Sequence, residues 1–154
     1  MGRRYANKRV KGAVLVEFAF ILPILILLLL SIMEFGMLVM QQLTLMQAAR
    51  EGSRLASVGG TVEAITQRIQ TSTTSLANQH DLVITLSYST VEGATFPYTL
   101  SDLSGGVNNA PTGSLLQAQV ACPYHLITGR FFSWLPGVQG DILPLSASVV
   151  MRRE

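Results

Sequence analysis

The sequence predicts an α+β protein in which one long N-terminal helix crosses a membrane and runs on into a small exported domain. Three patterns carry that expectation: a 22-residue apolar run between Lys11 and Glu34, a helix-period segment after residue 60, and three later runs that alternate apolar with polar residues. Composition agrees. Of the 154 residues 49% are hydrophobic and only 13% charged, against about 25% charged in an ordinary soluble domain. A chain of this length has room for about one domain.

The apolar run, residues 12–33, is broken only by Glu17. It meets the ~20 residues that a helix rising 1.5 Å per residue needs to cross ~30 Å of hydrocarbon. A cleaved secretory signal fits less well, because its apolar region spans ~7–15 residues and ends at a small-residue site, and no A-x-A follows here. Arg3, Arg4, Lys8, Arg9 and Lys11 precede the run, and no basic residue follows it until Arg50. The positive-inside rule then places the N-terminus in the cytoplasm and the remainder outside it. Pro23 lies within the run, where it removes a backbone hydrogen bond and is expected to bend the helix, as membranes tolerate.

Residues 34–58 contain no proline, so the helix is expected to continue to Gly59-Gly60, a C-terminal stop. Ala49, Gly52 and Ala56 share one face and allow another backbone to approach, while Glu51 and Arg54 are spaced for an ion pair within the helix. Thr61 reads as an N-cap with Glu63 in the first turn. Val62, Ile65, Ile69 and Leu76 then repeat at helical spacing over residues 62–78.

After His80-Asp81 the period changes to two. Leu82, Ile84, Leu86 and Tyr88 alternate with Val83, Thr85, Ser87 and Ser89, and two further alternating runs follow in Leu116, Ala118, Val120, Cys122 and Tyr124, then Leu145, Ala147, Val149 and Met151. Three antiparallel strands with a helix packed on them make an economical fold. Pro123 and Pro144 suggest free or frayed strand ends. Residues 89–114, rich in Gly, Asn, Pro, Ser and Thr, read as a long surface loop where recognition could sit. The chain thus divides into a basic cytoplasmic leader (1–12), the membrane helix and its extension (13–59) and an exported α+β domain (60–154).

Charge and chemistry exclude several functions. The net charge of +2 comes from the leader; beyond residue 12, six arginines face nine acids, so no basic face for nucleic acid is expected. The single cysteine, Cys122, forms no internal disulfide and reads as a small buried apolar residue, with an intermolecular or redox thiol as the alternative. His80 and His125 are the only histidines. A hydrolase would need a site built on one of them, and neither has a nucleophile or metal-ligand spacing around it. No phosphate loop is present. The chain is expected to be no enzyme and to take no cofactor or metal. The stretch Phe131-Phe132-Ser133-Trp134-Leu135-Pro136 reads as a core-filling turn or short helix, or alternatively as a patch for headgroups or a partner.

Glu17 demands explanation. An ionisable group in a bilayer helix costs at least ~2.5–3.5 kcal/mol, and it either snorkels to the nearby boundary or serves a function. The residues around it, G-A-V-L-V-E-F (12–18), resemble a prepilin cleavage site: a basic leader ending in glycine, then an apolar helix with glutamate at its fifth position. With the continuation to Gly36, A-A-R-E-G-S-R-L-A-S (48–57) and the closing L-S-A-S-V-V-M-R-R-E (145–154), the chain resembles the TadE-like family. Those are minor pilins or pseudopilins of the tight-adherence system that builds Flp pili. The resemblance implies a pilin-like fold in the bacterial inner membrane and cleavage between Gly12 and Ala13 by a prepilin peptidase. It also implies helix packing through Pro23, Ala49, Gly52 and Ala56, with other pilin subunits, the pilus assembly platform and membrane lipid as partners. Glu17 would pair with the new Ala13 ammonium. Phe18, where major Flp pilins have tyrosine, and Ala13, where many pilins have phenylalanine, depart from the pattern. The rival expectation is a membrane-tethered periplasmic binding or adhesion module that uses the 89–114 loop.

Overall fold

The computed structural model describes residues 6–76, 81–90, 95–127, 129 and 140–154, with the backbone alone for residues 6–11. Its elements in chain order are α1 (Ala6–Ser57), α2 (Val62–Ser72), β1 (Val83–Ser89), β2 (Tyr98–Thr99), β3 (Leu115–His125) and β4 (Ile142–Arg152). This is an α+β chain with a long apolar N-terminal helix and a four-stranded antiparallel sheet. It separates into two compact units, Met1–Met37 and Leu38–Glu154.

In the first unit α1 is apolar nearly all round from Gly12 onward, Glu17 and the buried Glu34 being its charged residues there. Nearly every large side chain from Val14 to Phe35 is exposed. Among the described residues this is the one helix long and apolar enough to cross a membrane. Within it the Ser31 hydroxyl donates to the Leu27 carbonyl at 2.8 Å, a back-bond that keeps the hydroxyl proton on the helix's own backbone. The helix continues through Pro23.

The second unit holds the core. The strand order is β2-β1-β3-β4, antiparallel throughout. Register puts Ile84 opposite Val120, Leu86 opposite Ala118, Val120 opposite Ala147 and Cys122 opposite Leu145. The apolar members of all three alternating runs therefore share one face, as a period of two requires. Leu86, Leu116, Ala118, Val120, Cys122, Tyr124, Leu145 and Ala147 on that face are buried. Thr85, Gln119, Ser146 and Ser148 on the other face are exposed. The helices close the buried side: Leu45, Ala48, Ala49 and Ala56 of α1 and Ile65 and Ile69 of α2 are at most 2% exposed. Two side chains tie α1 to β4, Gln42 Nε2 donating to the Ser146 carbonyl at 2.9 Å and Ser53 Oγ to the Val149 carbonyl at 2.9 Å.

The sheet exceeds expectation in two places. β2 adds a fourth strand from within the 89–114 stretch, and its Tyr98 stacks on Tyr88 with ring centroids 5.1 Å apart. β3 and β4 run through their prolines, because Pro123 and Pro144 lie opposite each other. Neither has an N–H, and a non-hydrogen-bonded pair asks for none. Pro123 is harmless toward β1 as well, since that register begins only at Val83↔Ala121.

Between the helices the chain turns sharply. Gly59 adopts φ +88; its N–H donates to the Ala56 carbonyl and that of Gly60 to the Leu55 carbonyl, both at 3.0 Å. This is a Schellman stop, which needs a left-handed residue and so a glycine. Thr61 then caps α2, its hydroxyl accepting from the Ala64 N–H at 3.2 Å, and Asp102 accepts from the Val62 N–H at 2.6 Å.

Candidate functional site

At the near end of α1, Gly12, Ala13 and Glu17 all lie within the helix and are exposed, and so is Pro23. Nothing stands within 4 Å of where a Gly12 side chain would be. Four residues of helix place Glu17 one turn above Ala13 on the same face, about 6 Å along the axis. Were Ala13 the first residue, its ammonium and the positive end of the helix dipole would both be offset by that carboxylate. Gly12 lowers the cost of opening this end of the helix by up to about 1 kcal/mol relative to alanine.

The small face farther along α1 is occupied within its own domain. A Cβ on Gly52 would lie 2.6 Å from Ile69 Cδ1 and 2.7 Å from its Cγ1, so the neighbour that Gly52 admits is α2. Ala49 and Ala56 are buried beside it. This crossing also redirects Glu51, which pairs with Arg68 Nη2 of α2 at 3.1 Å and not with Arg54. The pair is about half exposed and is worth under ~1 kcal/mol. Glu51, Arg54, Leu55, Val58 and Arg68 line an open groove of about 410 Å³.

A polar lock sits at the far end of α1. Asn108, 1% exposed, donates from Nδ2 to the Ala56 and Gly60 carbonyls, both at 3.0 Å, and from its backbone to the Gly59 carbonyl at 3.2 Å. Arg153 Nη1 donates to the Asn108 backbone carbonyl at 3.1 Å and to its Oδ1, and the Glu154 N–H reaches the Ser57 carbonyl at 3.1 Å. Carbonyls that a helix end leaves without partners are thereby satisfied from the 100–110 turn and the C-terminal strand. Sequence reading missed this group. Asn108-Asn109 carries a turn signal, and a turn asparagine that is buried looks the same as one that is not.

Of the possible catalytic groups, His80 lies outside the described residues, as does the Phe131–Pro136 stretch. His125 Nδ1 is 3.5 Å from Asp141 Oδ2, both side chains about half exposed. Among the described residues no three of His, Cys, Asp and Glu gather as a metal would require. Cys122 is buried, and burial first, then the nearby Asp81 carboxylate, pushes its thiol pKa up.

The region of the chain that holds Gly12, Glu17 and Gly52 is also the one that a family model matches. Residues 12–54 match the TadE-like protein family. The matched segment begins at Gly12 and ends two residues past Gly52, so it takes in the apolar run and most of the α1 extension. It leaves out α2, the sheet and the resemblance read at 145–154. No curated protein and no solved structure matches the chain.

Proposed function

We propose that this chain is a minor pilin or pseudopilin that takes part in assembling a tight-adherence, Flp-type pilus. It sits in the bacterial inner membrane as a single-pass protein, with its leader in the cytoplasm and its sheet domain in the periplasm. A prepilin peptidase cuts between Gly12 and Ala13. The mature helix then packs among other pilin subunits on the assembly platform, and the protein acts by packing, without catalysis. The observation that carries this reading is the TadE-like match starting at Gly12, on a helix where Ala13 and Glu17 share one exposed face. The rival reading, a tethered binding module, relies on the 89–114 stretch, and that stretch gives Asn108 to the interior.

The test is the first residues of the mature protein and the fate of Glu17. In cells with the matching peptidase, mass spectrometry is expected to find Ala13 at the N-terminus and ~1.4 kDa lost. Glu17→Leu is expected to insert and be cleaved, yet to abolish pili, because removing one partner of a buried pair costs ~3–5 kcal/mol; Glu17→Asp keeps partial function. Normal pilus numbers in the Glu17→Leu strain at matched protein levels would leave Glu17 a bystander and remove the pairing mechanism.

A further inference from the structure

Three bonds set the direction of β4 against α1 within the Leu38–Glu154 unit. Gln42 reaches the Ser146 carbonyl, Ser53 reaches the Val149 carbonyl, and the Ser57 carbonyl accepts from the Glu154 N–H. Helix and strand therefore run the same way. From Gln42 to Ser57 the helix rises ~22 Å, and from Ser146 to Glu154 extended chain spans ~26 Å. Below these bonds the strand outruns the helix. Back from Ser146 to its first residue, Ile142, β4 descends ~13 Å, whereas back from Gln42 to Leu38 α1 descends only ~6 Å. His125 pairs with Ile142, and the Leu126 N–H donates to the Asp141 carbonyl at 2.7 Å. This end of the β3–β4 pair thus stands ~7 Å beyond the level of Leu38.

Lipid lies at that level. At the usual tilt of about 20°, ~30 Å of hydrocarbon takes in ~21 residues of helix. Counted from Ala13 they end at Met33, and counted from Phe18, just past Glu17, at Leu38; a headgroup layer of ~5–7 Å lies outside them. What the sheet presents there is apolar. Ile127 is 74% exposed, more than any other large apolar side chain described after Phe20. In sequence Phe131, Phe132 and Trp134 follow it before β4 begins, and aromatic rings favour headgroup level. Charge does not draw this end to anionic lipid, since among the described residues Asp81, close enough to act on Cys122, and Asp141 stand there against His125. We propose that Ile127 and the β3–β4 end around it sit in the lipid interface of the membrane that α1 enters. The exported domain then meets the bilayer a second time, through apolar side chains and not through headgroup charge. The proposal rests on α1 being the membrane anchor, part of the reading above, and not on the pilus.

Spin-label accessibility on the full chain in phosphatidylcholine vesicles tests it. Cys122 is the sole cysteine, so a Cys122→Ala background carries one nitroxide at a time, on Ile127→Cys, Leu103→Cys or Ile26→Cys. Leu103, 53% exposed, belongs to the turn that Asn108 ties to Gly59 at the opposite end of the unit. The ratio of collisions with oxygen, which partitions into lipid, to collisions with a water-soluble nickel chelate is expected to be severalfold higher at Ile127 than at Leu103. High salt is expected to leave that ratio unchanged. A chelate-accessible label at Ile127 means that water covers it, a label that meets neither reagent means that protein does, and a ratio that collapses in salt means that charge holds it. Each of the three overturns the proposal. The Ile26 label keeps this apart from the reading above: lipid at Ile26 with water at Ile127 removes the second contact alone, whereas chelate at Ile26 removes the anchor itself.

Discussion

Cys122 shows how far a single position sets the response of the domain to pH. Its sulfur lies 3.7 Å from the Pro123 carbonyl and the residue is 3% exposed. Burial chiefly, and Asp81 secondarily, raise its pKa from the ordinary 9.0. The folded chain therefore keeps the proton at a pH where the unfolded chain releases it. The stability this contributes is fully present below about pH 9 and falls as pH rises past that value. Urea melts of the wild type are expected to lose stability above pH 9 more steeply than those of Cys122→Ala, and a thiol reagent at neutral pH is expected to label only unfolded chain. Parallel pH profiles, or fast native labelling, would contradict this. At the same scale, the sequence conveys Cys122 well and Asn108 poorly. A cysteine in an alternating apolar run has one natural place, whereas an asparagine beside another asparagine signals a turn whether it faces water or caps a helix.

Between elements, the contact of Gly52 with Ile69 fixes how closely α2 lies on α1. Gly52→Ala gains up to about 1 kcal/mol in helix propensity and loses ~1–3 kcal/mol to overpacking, because both Cδ1 and Cγ1 of Ile69 are in the way. A net loss of ~1–2 kcal/mol is expected. Combined with Ile69→Ala, the loss is expected to fall short of the sum of the single changes by at least ~1 kcal/mol, as for any pair in contact; additivity in denaturant melts would disprove the contact. Much at this scale was legible beforehand. The three strand faces follow from period two, and the stop at Gly59-Gly60 and the Thr61 cap follow from local chemistry. β2 was not legible, since two residues carry no period. The partner of Glu51 and the neighbour of Gly52 were not legible either: a small, charged-flanked helix face announces close packing without saying which element arrives.

For the whole molecule, every buried hydrophobic residue from Leu45 onward lies in the Leu38–Glu154 unit. The first unit leaves its large apolar side chains exposed, and the buried apolar side chains lie in the second. A fragment beginning at Leu38 is expected to remain in the supernatant without detergent and to unfold in one transition, while the full chain requires detergent. Aggregated or unstructured fragment would show that the apolar helix supports the domain. The bonds from α1 to β4 join residues 104 and 96 apart in the chain, and Arg153 and Glu154 complete the lock on the α1 terminus. A ribosome finishes the α1 extension long before it reaches Ile142. The α1 extension therefore waits for its β4 partners until residues 142–152 have emerged. Completion of the domain waits on β4, and a chain interrupted before Ile142 leaves the Ser53 hydroxyl and the Gln42 amide of its earliest helix without the strand carbonyls they bond.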